Sequence, residues 1–112
     1  MRPRSRSYVW NAAEACTDVL RVVHGTTFDQ FLRDKDSRRL VERYLEIVGE
    51  ALRQFEHAEP ELASGIASLR GFVDLRNVIV HGYERVDYAI IWAICRDDIP
   101  KLRIDLGDLA QS

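Results

Sequence analysis

The stretch DSRRLVERYLEIVGEALRQFEH, residues 36–57, decides the fold. At 100° per residue, Leu40, Val41, Tyr44, Leu45, Ile47, Val48, Ala51, Leu52 and Phe55 fill one half of its helical wheel. Arg39, Glu42, Arg43, Glu46, Glu50 and Arg53 fill the other. Such a segment is an amphipathic helix with one side on a core, and its Glu/Arg side reads as a solvated face. Working outward, residues 58–65 (Pro60, Ser64, Gly65) read as a loop, and a helix follows from Ile66 to His81, where Gly82 can end it. A further helix covers Val86 to Cys95, and Asp97 or Asp98 can cap a last short one, with Pro100 tolerated in its first turn. On the N-terminal side, helical spacing runs from Tyr8 to Val23 and Gly25 is a suitable stop. Thr27-Phe28-Asp29-Gln30 fits a capping box that opens a short turn through Leu32. No period-2 alternation persists over a strand's length. The expected architecture is all-α: an up-and-down bundle of about five helices formed by residues 7–112, preceded by a flexible basic arm at 1–6 (Arg2, Arg4, Arg6).

Composition limits what this bundle does. The 112 residues are 46% apolar, which suits one globular domain and excludes disorder for most of the chain. The longest apolar run, Tyr88 to Cys95, is far short of the ~20 residues of a membrane span. Cys16 and Cys95 match no zinc or redox spacing and read as small buried hydrophobes in a reducing cytoplasm. A net charge of −2 argues against broad coating of nucleic acid, yet leaves room for a local phosphate site. Basic charge is almost all arginine, with Lys35 and Lys101 the exceptions. Arginine binds phosphate bidentately, as lysine does not.

The helix ending at His81 carries polar residues in two places. Arg70, Asp74, Asn77 and His81 form one stripe, which for Arg70 and Asp74 reads as a solvent face. Arg76 lies about 140° from His81, among Leu69, Phe72, Val73, Ile79 and Val80. There it needs an anionic partner or a route to water, and an ion pair with a carboxylate of another helix is the plainest account. The helix of residues 86–95 is apolar around its whole circumference. A domain this small rarely encloses such a helix, so a second copy of the chain is expected to cover part of it, giving a homodimer.

Arg76-Asn77-Val78-Ile79-Val80-His81-Gly82-Tyr83 has the form Arg-x-x-x-x-His-x-Tyr. It resembles the signature of the HepT-like branch of the HEPN superfamily, and the likeness covers nearly the whole chain. Glu46-Ile47-Val48-Gly49-Glu50-Ala51 resembles that family's third-helix segment, and Val86-Asp87, Trp92 and Asp97-Asp98-Ile99-Pro100-Lys101-Leu102 resemble its C-terminal one. The resemblance implies the toxin of a bacterial type VII toxin–antitoxin pair. Such a toxin is a metal-independent endoribonuclease that needs no cofactor, works as a homodimer and cuts RNA in a cleft lined by both chains. It also implies a small nucleotidyltransferase antitoxin of the MntA type, which transfers AMP to the motif tyrosine, here Tyr83.

The residue chemistry agrees with that activity. Cleaving RNA without a metal takes a proton acceptor for the 2′-hydroxyl and a cation beside the phosphorane. A histidine titrates near neutrality, and at a helix C-terminus its imidazolium is favoured, so His81 suits acid and base roles. Arg76 suits the phosphate clamp, with Asn77 and Tyr83 in supporting positions. For Arg76 and His81 to serve one phosphate, the helix deforms near its end, the arginine wraps round, or each chain contributes differently. A non-catalytic module that presents substrate or nucleotide to a nucleotidyltransferase is the competing function. His24 and His57 read as surface or capping histidines, Trp10 and Trp92 as packing residues, and neither cysteine as a nucleophile.

Overall fold

The computed structural model describes residues 1–82, 84 and 86–111, and the longer elements among them are all helices. These are α1 (Pro3–Val23), α2 (Phe28–Arg33), α3 (Lys35–Ala58), α4 (Pro60–Ala63), α5 (Leu69–His81), α6 (Tyr88–Ala93) and α7 (Ile99–Ala110), with a π-helical segment, Ile94–Asp98, joining the last two. The all-α expectation holds. α3 is the central element: α1 and α5 pack against it, and α7 packs on α1. Val41, Leu45, Val48, Leu52 and Phe55 of α3 share one core with Val9, Ala12, Cys16 and Val19 of α1, Phe72 and Val73 of α5, and Ile99, Leu102 and Leu106 of α7. No described helix is long and apolar enough to cross a membrane.

Local chemistry sets the element boundaries. Thr27 Oγ1 accepts from the Gln30 amide at 3.2 Å, while Gln30 Oε1 accepts from the Thr27 amide at 3.0 Å, completing the capping box of α2. Asp34 Oδ1 accepts from the amides of Asp36 (3.1 Å) and Ser37 (3.2 Å) to start α3. Gly25, at φ 70°, turns the chain after α1 in a conformation that side-chain-bearing residues rarely adopt.

Three expectations are corrected. The arm at 1–6 is largely helix, because α1 begins at Pro3. Alternating arginines suggested a tail, but Met1, Ser5, Val9 and Ala12 continue the inward stripe at helical spacing; Ser5 is fully buried and proline suits a first helical position. Arg6 Nη1 donates to the Ala110 carbonyl at 3.4 Å, tying the start of α1 to the end of α7. In the 58–65 loop, Pro60–Ala63 form a helical turn, and α5 starts at Leu69 rather than Ile66. The C-terminal segments run as one continuous helix: Ile94 and Ile99 stay in right-handed helical geometry, and the Asp98 side chain caps nothing. Pro100 lacks an N–H and crowds the carbonyl four residues back, and the wider π turn accommodates it. As expected for so small a domain, α6 is not enclosed in the single chain. Ile91 is buried, whereas Ala89, Ala93 and Ile90 face outward, Ile90 being 57% exposed.

Candidate functional site

Gly49 creates the seat for Arg76. A Cβ at position 49 would lie 2.3 Å from the Arg76 Cβ and 2.8 Å from the Phe72 carbonyl oxygen, so α5 approaches α3 this closely only over a glycine. The Arg76 side chain is 24% exposed, and its Nη2 lies 3.3 Å from Glu50 Oε2. This is the interhelical ion pair that an arginine among apolar neighbours requires. Glu50 is shared: Arg53 Nη2 donates to its Oε1 at 2.6 Å and Gln54 Nε2 at 3.3 Å. The hydrogen bond from Arg53, and the charges of Arg53 and Arg76, hold the Glu50 carboxyl below the usual carboxylate range against partial burial. One carboxylate thus faces two guanidiniums, and the cluster keeps net positive charge.

The same guanidinium reaches the other way round its helix. Arg76 Nη1 donates to Asn77 Oδ1 at 3.1 Å. Asn77 and His81 stand four residues apart on one face of α5, where side chains are neighbours. α5 stays α-helical through His81, so the helix does not deform between the two motif residues. The wrapping of Arg76 is what carries its charge toward the Asn77–His81 stripe. Asn77 and His81 are exposed, and His81 sits in the last turn of α5. Tyr83 lies outside the described residues. Arg70, on the outer stripe as expected, pairs with Glu56 at 2.5 Å.

A groove of about 390 Å³ opens on the α1–α3 side of Arg76. Its charged lining is Glu14, Asp18, Glu46 and Glu50 against Arg43 and Arg76, while Asn77 and His81 lie outside it. The acidic excess disfavours an anion on that side and leaves the Asn77 side as the approach to the guanidinium. Trp10, expected in the packing, lines this groove and is 64% exposed. Trp92 does pack, with ring centroids 5.3 Å from Phe31 and 6.1 Å from Phe28.

Glu42 was read as part of the solvated face of α3, but it is buried. Tyr88 Oη donates to its Oε2 at 2.6 Å, and Arg39 Nη1 donates to both carboxylate oxygens at 3.1 Å. Wheel position alone did not reveal it, because the Tyr88 side chain, at the start of α6, reaches the polar edge of α3 there. Cys16 and Cys95 are buried, and burial pushes both thiols up to about 12, which removes them as nucleophiles at neutral pH. His24 caps the end of α1, and His57 is exposed at the end of α3.

A family model described as "Ribonuclease HepT-like" matches residues 12–108. A provisionally named RNase of Methanocaldococcus jannaschii is 30% identical over 98 residues, covering 88% of this chain and 89% of the relative. A protein of Thermococcus cleftensis named "Probable ribonuclease HepT" is 30% identical over 107 residues, covering 92% and 93%. A provisionally named RNase of Caldanaerobacter subterraneus is 28% identical over 106 residues, covering 95% and 94%. No solved structure matches the chain significantly.

Proposed function

The chain belongs to the HepT-like ribonuclease family, and on that premise we propose that it is a metal-independent endoribonuclease toxin whose catalytic residues are Arg76 and His81. The observation that carries this reading is the Arg76 guanidinium, held by Glu50 on one side and bonded to Asn77 on the other, beside the stripe that ends in His81. In the reaction, the imidazole of His81 takes the proton of a ribose 2′-hydroxyl. The 2′-oxygen bonds to the adjacent phosphorus, the bond to the 5′-oxygen breaks, and that oxygen leaves with a proton from an imidazolium. The products are a 2′,3′-cyclic phosphate and a 5′-hydroxyl. Arg76 donates to the non-bridging oxygens as negative charge grows on the phosphorane. Asn77, whose Oδ1 is already engaged, keeps its amide N–H groups for the same phosphate.

The finer reading follows the family resemblance. Two copies form the working unit, and a MntA-like nucleotidyltransferase antitoxin silences it by AMP transfer to Tyr83. An AMP group there adds bulk and negative charge where an RNA phosphate must sit. The test is cleavage of single-stranded RNA by the purified protein in chelator. His81→Ala and Arg76→Ala are each expected to lower the rate by about 10²-fold or more. Undiminished cleavage by both variants overturns the assignment. Tight binding of the nucleotidyltransferase without any RNA cleavage favours the non-catalytic module instead.

A further inference from the structure

We propose that the cleft bounded by Arg2, Arg4, Tyr8, Arg53 and His57 is a second phosphate-binding site, which holds RNA nucleotides flanking the one beside Arg76 and His81. The inference rests on the ribonuclease reading and adds to it a place for the rest of the strand. The cleft measures about 420 Å³ and lies where the N-terminal turn of α1 meets the C-terminal turns of α3; Gln54 and Ala58 complete its described lining.

Its charge is the reverse of the groove beside it. Three arginines and a histidine line the cleft, and no carboxylate does so among the described residues. Glu59 and Glu50, each bonded to a residue of the cleft lining, are already engaged. Glu59 Oε2 accepts the backbone N–H of Arg2 at 3.1 Å, and that bond holds its carboxyl below the usual range. Glu50 is bound by Arg53 and Arg76. Arg2 and Arg4 are exposed, and the positive end of the α1 dipole adds to their field. A chain with net charge −2 that gathers this much positive charge in one concavity presents a surface for a polyanion. Guanidinium forks match phosphate oxygens, and the Tyr8 ring offers a face on which a base can stack.

The cleft also lies on a path from the catalytic arginine. Glu50 joins Arg76 to Arg53, and Gln54 lines both the cleft and the groove that contains Arg76. From Glu50 to His57 is seven residues of α3, about 10 Å at the helical rise. Measured along α3, the cleft is therefore within a few nucleotides of about 3.4 Å rise of the arginine that Glu50 holds, and a strand bound at both skirts the acidic groove rather than entering it.

The test is binding of a short 2′-O-methyl oligoribonucleotide, which the protein cannot cleave, followed by fluorescence anisotropy over a range of salt concentrations. Each phosphate contact in a single strand contributes about 0.7 to the slope of log affinity against log salt. Arg4→Gln is expected to lower that slope by about 0.7 and Arg2→Gln with Arg4→Gln by about 1.4. Arg33→Gln, an exposed arginine on α2 away from the cleft, is expected to leave it unchanged. Both cleft variants should melt with the wild type, because their side chains are exposed. A slope unchanged in the double variant, or lowered equally in Arg33→Gln, overturns the proposal. So does a wild type that does not bind the oligonucleotide, or one from which AMP displaces it at equal concentration, which would make the cleft a mononucleotide site. Cleavage of unmodified RNA separates the two readings. A wild type that cuts RNA but shows no slope loss in the variants refutes the cleft alone. One that shows the slope loss but cuts nothing refutes the nuclease and keeps the cleft.

Discussion

Gly49 and Gly71 sit in helices a few residues from the same interface and should respond to alanine in opposite directions. At Gly49 the new methyl meets the Arg76 Cβ and the Phe72 carbonyl, neither of which is the free end of a flexible chain. Gly49→Ala must push α5 away from α3, at about 1–3 kcal/mol for an overpacked contact. It also shifts the arginine proposed as catalytic, so RNA cleavage should fall further than the loss of folded protein accounts for. At Gly71 nothing lies within 4 Å of the added Cβ. Gly71→Ala should raise stability by about 0.5 kcal/mol through the lower entropy of the unfolded chain, with cleavage unaltered. Urea unfolding beside initial rates checks both, and an unperturbed Gly49→Ala would remove the glycine seat from the account of Arg76. At this scale the sequence was informative about Arg76. Its apolar wheel position called for an anionic partner or a route to water, and Glu50 provides the former. The sequence did not show that the guanidinium also reaches Asn77, because a wheel records where a Cβ points and not where a long side chain ends.

Between elements, the buried contact of Glu42 with Tyr88 fixes α6 against α3 just beyond the motif. Burial, and then the hydrogen bond to Glu42, raise the Tyr88 phenol above its ordinary value of 10.0. A raised folded pKa keeps the proton more tightly in the native state, so its contribution is complete below pH 10 and is lost as pH rises past it. Unfolding free energy measured at stepped pH above 9 should therefore fall more steeply in the wild type than in Tyr88→Phe. At neutral pH the same variant should lose about 1–3 kcal/mol, because a buried carboxylate loses a donor. Parallel alkaline limbs in the two proteins would show that the hydroxyl does not carry this dependence. The elements themselves were well read where caps and periodicity agree, as in α2 and α3. They were misread where tertiary contacts decide. Arg2, Arg4 and Arg6 hid the inward spacing of Met1, Ser5 and Val9. Asp98 and Pro100 do mark the start of α7, but Asp97 and Asp98 lie in a π turn that joins it to α6, and the Asp98 side chain makes no capping bond.

For the whole molecule, the exposed face of α6 is the feature that a single copy leaves unfinished. Ile91 is buried, while Ile90 is 57% exposed beside outward-facing Ala89 and Ala93. Burying a side chain such as Ile90 contributes about 1.5–3 kcal/mol, and a two-fold contact uses the same residue twice. Sedimentation at micromolar concentration should therefore give twice the 12.9 kDa mass of one chain. Ile90→Asp should shift the population toward monomer, since association would then bury an unpaired carboxylate. The proposed dimer would matter to chemistry because the Arg76 side chain leaves α5 on its α3 side, where Glu50 holds it, while His81 ends the outer stripe. A second copy lets one chain's arginine and the other's histidine act on a single strand. Cleavage should accordingly fall in proportion to the dimer lost in Ile90→Asp and recover as protein concentration is raised. A wild type that sediments as one chain and still cuts RNA would instead mean that the wrapped Arg76 and its own His81 suffice.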